Sequence, residues 1–228
     1  MEAAVAKGAA ILVALAVTIG VGAFGNPSLS DLARPSWQPS NAAFSIWAII
    51  YTSLAIGGVF QLNTEVASRS NPWSVALLCV SLLSSAAWLV TVRRAVELSA
   101  AFIVVAFLTA TVSLALNAPL QDPCNVADRL VALGPALLTG WLSLAAPLGV
   151  NLAVQARGGA ELPAWVTLPS TLAAAGLGAM SGTPELGAVL VWASVFSART
   201  TLSNILAIVG VASAIAAVAR SLSASTVS

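Results

Sequence analysis

Apolar residues run through this chain in long unbroken stretches, and every Lys, Arg, Asp and Glu falls in the short breaks between them. Eight such stretches stand out, at residues 8–25, 41–62, 73–92, 99–117, 130–154, 162–180, 186–198 and 201–219. A helix needs about 20 apolar residues to cross the hydrocarbon of a bilayer. Lipid offers backbone N–H and C=O groups no partner, so only helices and closed barrels span it. Barrel strands alternate polar and apolar residues over segments of about ten, and stretches such as "AAILVALAVTIGVGAFG" and "AFIVVAFLTATVSLALNA" do not alternate. The pattern predicts an all-α polytopic transmembrane helix bundle of about eight spans, with both termini on one side.

The last two stretches are separated only by "SARTT". An arginine at the bilayer centre costs at least about 2.5 kcal/mol, so the chain is expected to turn at Arg199 and form two helices. Alternation of eight spans then places Lys7, Arg69, Arg129 and Arg220 on one side and Arg34, Arg93, Arg94, Arg157 and Arg199 on the other. That balance gives no positive-inside bias.

Composition agrees with a membrane setting. Hydrophobic residues make up 59% and charged residues 7%, where a soluble domain carries about 25% charged residues; mean hydropathy is +0.96. The net charge of +1 offers no polybasic surface for nucleic acid. Of the two cysteines, Cys79 lies in an apolar stretch and Cys124 in a polar loop, and both read as unpaired thiols. The first stretch, too long for a signal sequence, reads as the first span. Small residues recur within the stretches, as in "AAAGLGAMSG" and "VASAIAA", which suits close helix packing in lipid. Gly178 and Gly182 have the small-xxx-small spacing, for which a tight bundle is the simpler reading and a homodimer the other.

The chain has no histidine, and no acidic residue lies within an apolar stretch. General acid–base catalysis, metal ligation and proton-coupled transport mostly rely on such groups. The reading is therefore of a protein that is not an enzyme and has no metal site and no required cofactor.

What remains is aromatic and neutral polar. In "RPSWQPSNAAFSIWAIIY", Phe44, Trp47 and Tyr51 follow the i, i+3, i+7 spacing of one helical face. Pro35 and Pro39 stiffen the approach, and Ser40 or Asn41 is expected to cap the helix. A rigid loop would then lay Trp37 over the mouth of the bundle. An interfacial aromatic belt is the competing explanation. By alternation, however, Trp37, Trp47, Trp88 and Trp165 gather on the first-loop side, Trp73 stands alone opposite, and Trp141 and Trp192 fall near mid-span, too deep for a belt. Buried indoles want partners for their N–H, and Ser84, Ser85, Ser143 and Asn151 are the candidates. In "LGPALLTGWLSLAAPLGVNLAV", Pro135 and Pro147 free backbone carbonyls. That makes either a packing kink or a cavity wall with Trp141 and Asn151 pointing inward. These features together suggest an aromatic, weakly polar cavity opening towards the first loop.

"ARPSWQPSNAAFSIWAIIY" resembles the signature loop and second helix of the tryptophan-rich sensory protein/translocator protein family (TspO/MBR), through Pro35, Ser36, Trp37, Pro39, Phe44, Trp47 and Tyr51. Trp88, the Gly140, Trp141 and Asn151 of "GWLSLAAPLGVN", and "VLVWASVFS" around Trp192 resemble a longer branch with extra C-terminal helices. Ser40, Ile50, Ser84 and Ser85 depart from the family pattern, and its sterol-associated motif is not evident. The resemblance implies a five-helix TspO-like core over 1–157 and three further helices over 158–228. It also implies a cavity under the first loop that binds a flat hydrophobic molecule such as a tetrapyrrole, or a lipid, for sensing or transport. The ligand-binding candidates are Trp37, Phe44, Trp47, Tyr51, Trp88, Trp141 and Asn151. With no histidine, a tetrapyrrole would be held by stacking and shape, or through water or an amide. The other readings are an accessory subunit of a larger membrane complex, for example a pigment-containing photosynthetic one, and an uncoupled carrier. The implied partners are a hydrophobic small molecule or pigment and the lipid bilayer, with a homodimer or docking into a larger membrane complex as its assembly. Which membrane holds it is not specified.

Overall fold

The computed structural model describes residues 2–24, 35–118, 125–196 and 201–225, and the regular structure among them is all helical. Helix α1 is Glu2–Phe24, and a 3-10 turn at Asn41–Ser45 leads into α2 (Ile46–Phe60). A short α3 covers Thr64–Ser68, followed by α4 (Pro72–Thr91), α5 (Val96–Asn117) and α6 (Val126–Ala156). A second 3-10 turn at Ala164–Thr167 opens α7 (Leu168–Ser181), before α8 (Pro184–Phe196) and α9 (Thr201–Ser225). Every one of the eight apolar stretches has become a helix. Arg34, Cys124 and Arg199 lie outside the described residues, but α8 and α9 are separate helices, as expected of a turn between them.

Six of these helices are long and apolar enough to cross a membrane: α1, α2 with its leading turn, α4, α5, α6 and α9. Helices α7 and α8 have 14 and 13 residues. At 1.5 Å per residue they reach only about 20 Å, against a hydrocarbon core of about 30 Å. Among the described residues, six of the eight stretches form helices of membrane-crossing length, and the other two, α7 and α8, form a shorter hairpin. The hairpin turns at Gly182, whose φ of +70° suits glycine, and Pro184 starts the return helix.

The helix ends follow their local chemistry. Asn63, Asn71 and Asn125 each accept a backbone N–H from the first turn of α3, α4 and α6, at Glu65, Trp73 and Ala127 respectively. Ser40 precedes the first 3-10 turn and makes no side-chain cap bond; its backbone N–H is used elsewhere. Both prolines of α6 are absorbed within one continuous 31-residue helix.

Helices α1, α2, α4, α5 and α6 pack around a common apolar core that includes Ile11, Leu54, Leu82, Ile103 and Leu138. Close approach depends on missing side chains. A Cβ on Gly134 would lie 2.9 Å from Leu54 Cα, so α2 and α6 meet backbone to backbone. Buried hydroxyls add interhelical bonds: Thr18 Oγ1 donates to the Leu82 carbonyl at 3.0 Å, and Ser81 Oγ to that of Ala106 at 2.8 Å. Helices α7, α8 and α9 pack on the α6 side, with Leu186, Leu190 and Leu206 fully buried. Gly178 faces Ser213 and Leu186 of the same chain, and Gly182 ends a helix, so that pair serves internal packing.

Candidate aromatic site and its loop clamp

Five of the seven residues singled out from sequence, Phe44, Trp47, Tyr51, Trp88 and Trp141, lie in or against the one core shared by α1, α2, α4, α5 and α6. The spacing in α2 does what it promised. Trp47 and Tyr51 sit with ring centroids 5.2 Å apart, and Phe44 and Trp47 both turn edge-on to Trp141, at 5.3 and 6.4 Å. Edge-to-face contact sets the positive ring edge against the negative face of its neighbour. Trp141 is 2% exposed and lies beneath the cluster, while Phe44, Trp47, Tyr51 and Trp88 are half-buried. Trp192 and Phe196 pack against the same core, their rings 4.7 Å apart.

The remaining two residues do something different. Trp37 is 3% exposed and packs among Leu144, Leu148, Leu190 and Leu206, outside the ring cluster. Its indole Nε1 donates to the Leu162 carbonyl at 2.9 Å, and the Leu162 N–H donates to Asn151 Oδ1 at 2.7 Å. The Ser36 N–H and Oγ both donate to Glu161 Oε1, at 2.9 and 2.7 Å. Further along, the Ser40 N–H donates to the Phe196 carbonyl at 2.8 Å, and Trp192 Nε1 donates to the Ala43 carbonyl at 3.1 Å. The first-loop segment 35–43 is therefore fastened to the α6–α7 connection and to the end of α8.

Ser84, Ser85, Ser143 and Asn151 were the candidate partners of the buried indoles, whereas Trp37 and Trp192 donate to backbone carbonyls. Ser85 Oγ donates to the Ser81 carbonyl and Ser143 Oγ to that of Gly140, because a helical serine readily turns back on its own preceding turn. The indoles use distant backbone carbonyls instead. The buried Trp88 Nε1 has no acceptor among the described residues. Trp73 and Trp165, on opposite faces, are 72% and 65% exposed, as an interfacial belt requires. The belt and the interior cluster are thus both present, built from different tryptophans. Among the described residues no group of three or more His, Cys, Asp or Glu could hold a metal ion.

A family model described as TSPO-like protein matches residues 4–224, from α1 into the last turn of α9. The chain belongs to the TSPO-like family. No curated protein and no solved structure matches it. As a TSPO-like protein with six membrane-length apolar helices, it is an integral membrane protein.

Proposed function

We propose that this TSPO-like protein binds a flat hydrophobic ligand, a tetrapyrrole or a lipid-derived molecule of similar shape, at the aromatic end of the bundle, for sensing or transport. The observation that carries this reading is the convergence of the half-buried Phe44 and Trp47 on the buried Trp141. Aromatic faces bind planar π systems by stacking, and the unpaired Trp88 N–H adds one donor for a polar substituent. Residues 1–157 would supply these contacts. Residues 158–228 would hold the first loop over them, through Leu162, Glu161 and Trp192. Trp37 and Asn151 then serve the binding residues as loop anchors. With no histidine in the chain, a metallated ring would receive no imidazole ligand. No catalytic step is assigned.

Titration of protoporphyrin IX into the detergent-purified protein, followed by tryptophan quenching, tests the proposal. Saturable quenching is expected, with Trp47→Ala and Trp141→Ala each weakening binding about tenfold, a loss of about 1.4 kcal/mol. Equal affinity in both variants would remove the ligand from this cluster.

A second reading, docking into a larger membrane assembly, is favoured by α9. Only 22% of its spanning window is buried, against 61% for α6, and Ile208, Ile215 and Leu222 point outward. Lipid covers such a face equally well, so the free protein on a native gel after mild solubilisation decides against assembly.

A further inference from the structure

The five packed helices line a partly open cavity of about 20 Å³ at the end of the bundle away from the first loop. Each helix contributes to it, among them Ile11 from α1, Gly57 from α2, Ser74 from α4, Ser113 from α5 and Val131 from α6. The aromatic cluster lies at the start of α2 and the middle of α6 and shares no residue with this lining, so the two places are distinct.

A segment that closes this end of the bundle, residues 61–71, is tied to four helices. Lys7 Nζ of α1 donates to the Ala67 and Ser70 carbonyls, each at 2.7 Å. Gln61, at the end of α2, donates through Nε2 to Ser70 Oγ at 2.6 Å. The Asn71 N–H donates to Asn117 Oδ1 of α5 at 3.1 Å, and Arg69 pairs with Asp128 of α6 at 3.0 Å.

Beneath this cap two polar groups are left over. Gln61 lines the cavity and is 1% exposed, and its Oε1 has no hydrogen-bond partner. Ser70 takes up the Nε2 end of the amide, which leaves the Oε1 end facing the cavity. The second group is the Val131 carbonyl, whose helical donor would be the N–H of residue 135. That residue is proline and has none. A Cβ on Gly57 would lie 3.5 Å from this oxygen, and Gln61 follows Gly57 by four residues, on the same helical face. An unpaired buried polar group costs about 1–3 kcal/mol, and a cavity needs only about 10–15 Å³ of such space to hold one water.

We propose that this chamber is a water-binding site, with one ordered water anchored by the Gln61 amide and placed to serve the Val131 carbonyl. The water satisfies both groups, and it links the cap to the axis of the bundle at the face opposite the aromatic site. The site is independent of whether the aromatic cluster binds a ligand.

Crystals of the wild-type protein, native and pressurised with xenon, decide the matter, because a dry apolar cavity takes up xenon while a hydrated polar one keeps its water. The expected result is an ordered oxygen about 2.7–3.2 Å from the Gln61 amide, with no xenon in its place. In Gln61→Leu the oxygen should vanish and xenon should enter. Xenon in the wild-type chamber, or density there with no ordered atom, overturns the proposal without reference to the variant.

Discussion

Trp37 and Asn151 grip the same residue from opposite sides of its peptide backbone: Trp37 donates to the Leu162 carbonyl and Asn151 accepts from the Leu162 N–H. One aromatic and one amide thereby join the first loop, α6 and the start of the C-terminal helices at a single point. Both side chains are almost fully buried, so neither bond is easily replaced by water.

Trp37→Phe keeps the ring packing and removes only the indole donor. It leaves the Leu162 carbonyl unpaired at a cost of about 1–3 kcal/mol. The expected outcome is a lower melting temperature in detergent and faster amide hydrogen exchange at residues 159–163. Asn151→Leu should act on the same segment, and the double variant should lose less than the sum of the two, since both act on one tie. Additive losses would show the two bonds to be separate.

The ionic pairs differ in value by their surroundings. Asp128 has a side chain 2% exposed beside a 29% exposed Arg69, and its hydrogen bond is the main cause that pushes the Arg69 guanidinium above its ordinary pKa. Glu97 and Arg157 are both more than half exposed. Asp128→Ala is therefore expected to destabilise by about 3 kcal/mol, as for a buried pair broken on one side, and to loosen the cap over residues 61–71. Glu97→Ala should leave stability nearly unchanged, since water and salt screen an exposed pair. Equilibrium unfolding in mixed detergent micelles measures both.

Ser74 and Ser113 exchange hydrogen bonds. Each Oγ donates to the other residue's carbonyl, at 2.8 and 2.7 Å. Interhelical bonds of this kind are worth roughly 0.6–2 kcal/mol in membrane proteins. A double-mutant cycle with Ser74→Ala and Ser113→Ala should return a coupling in that range, and a coupling indistinguishable from zero would assign the α4–α5 contact to apolar packing alone.

How much of this was legible in the sequence depended on the range of the interaction. Charges at Arg69, Arg93, Arg129 and Arg157 bracket the helices, because ionic groups are expensive in hydrocarbon, so helix positions could be read directly. The Phe44, Trp47 and Tyr51 stripe was legible because helical periodicity is local. The short α7–α8 hairpin was not: Gly182 and Pro184 set its junction, while the bond from the Ser40 N–H to the Phe196 carbonyl joins positions over 150 apart. The indole partners were missed for the same reason, since Trp37 and Leu162 are 125 positions apart and a carbonyl acceptor leaves no mark in the sequence. The cap was hidden because Gln61 falls inside the apolar stretch 41–62, while its partner Ser70 lies in the break beyond it.

Glycines give the sharpest contrast between positions that look alike in sequence. At Gly210 an added Cβ would lie 2.7 Å from the Gly187 carbonyl oxygen, and at Gly187 it would lie 2.9 Å from the backbone nitrogen of Ala214. Both contacts are with backbone, which cannot rotate away, so α8 and α9 must move apart. At Gly20 and Gly176 an added Cβ meets nothing within 4 Å. Gly187→Ala and Gly210→Ala are each expected to destabilise by about 1–3 kcal/mol, as overpacked cores do. Gly20→Ala and Gly176→Ala should be neutral or stabilising by up to about 1 kcal/mol, because alanine loses less backbone freedom in a helix. Melting temperatures of the four variants in one detergent check the ordering. A Gly210→Ala protein as stable as Gly176→Ala would mean that α8 and α9 do not touch backbone to backbone, and the seat of the first-loop clamp at Phe196 would have to be redrawn with them.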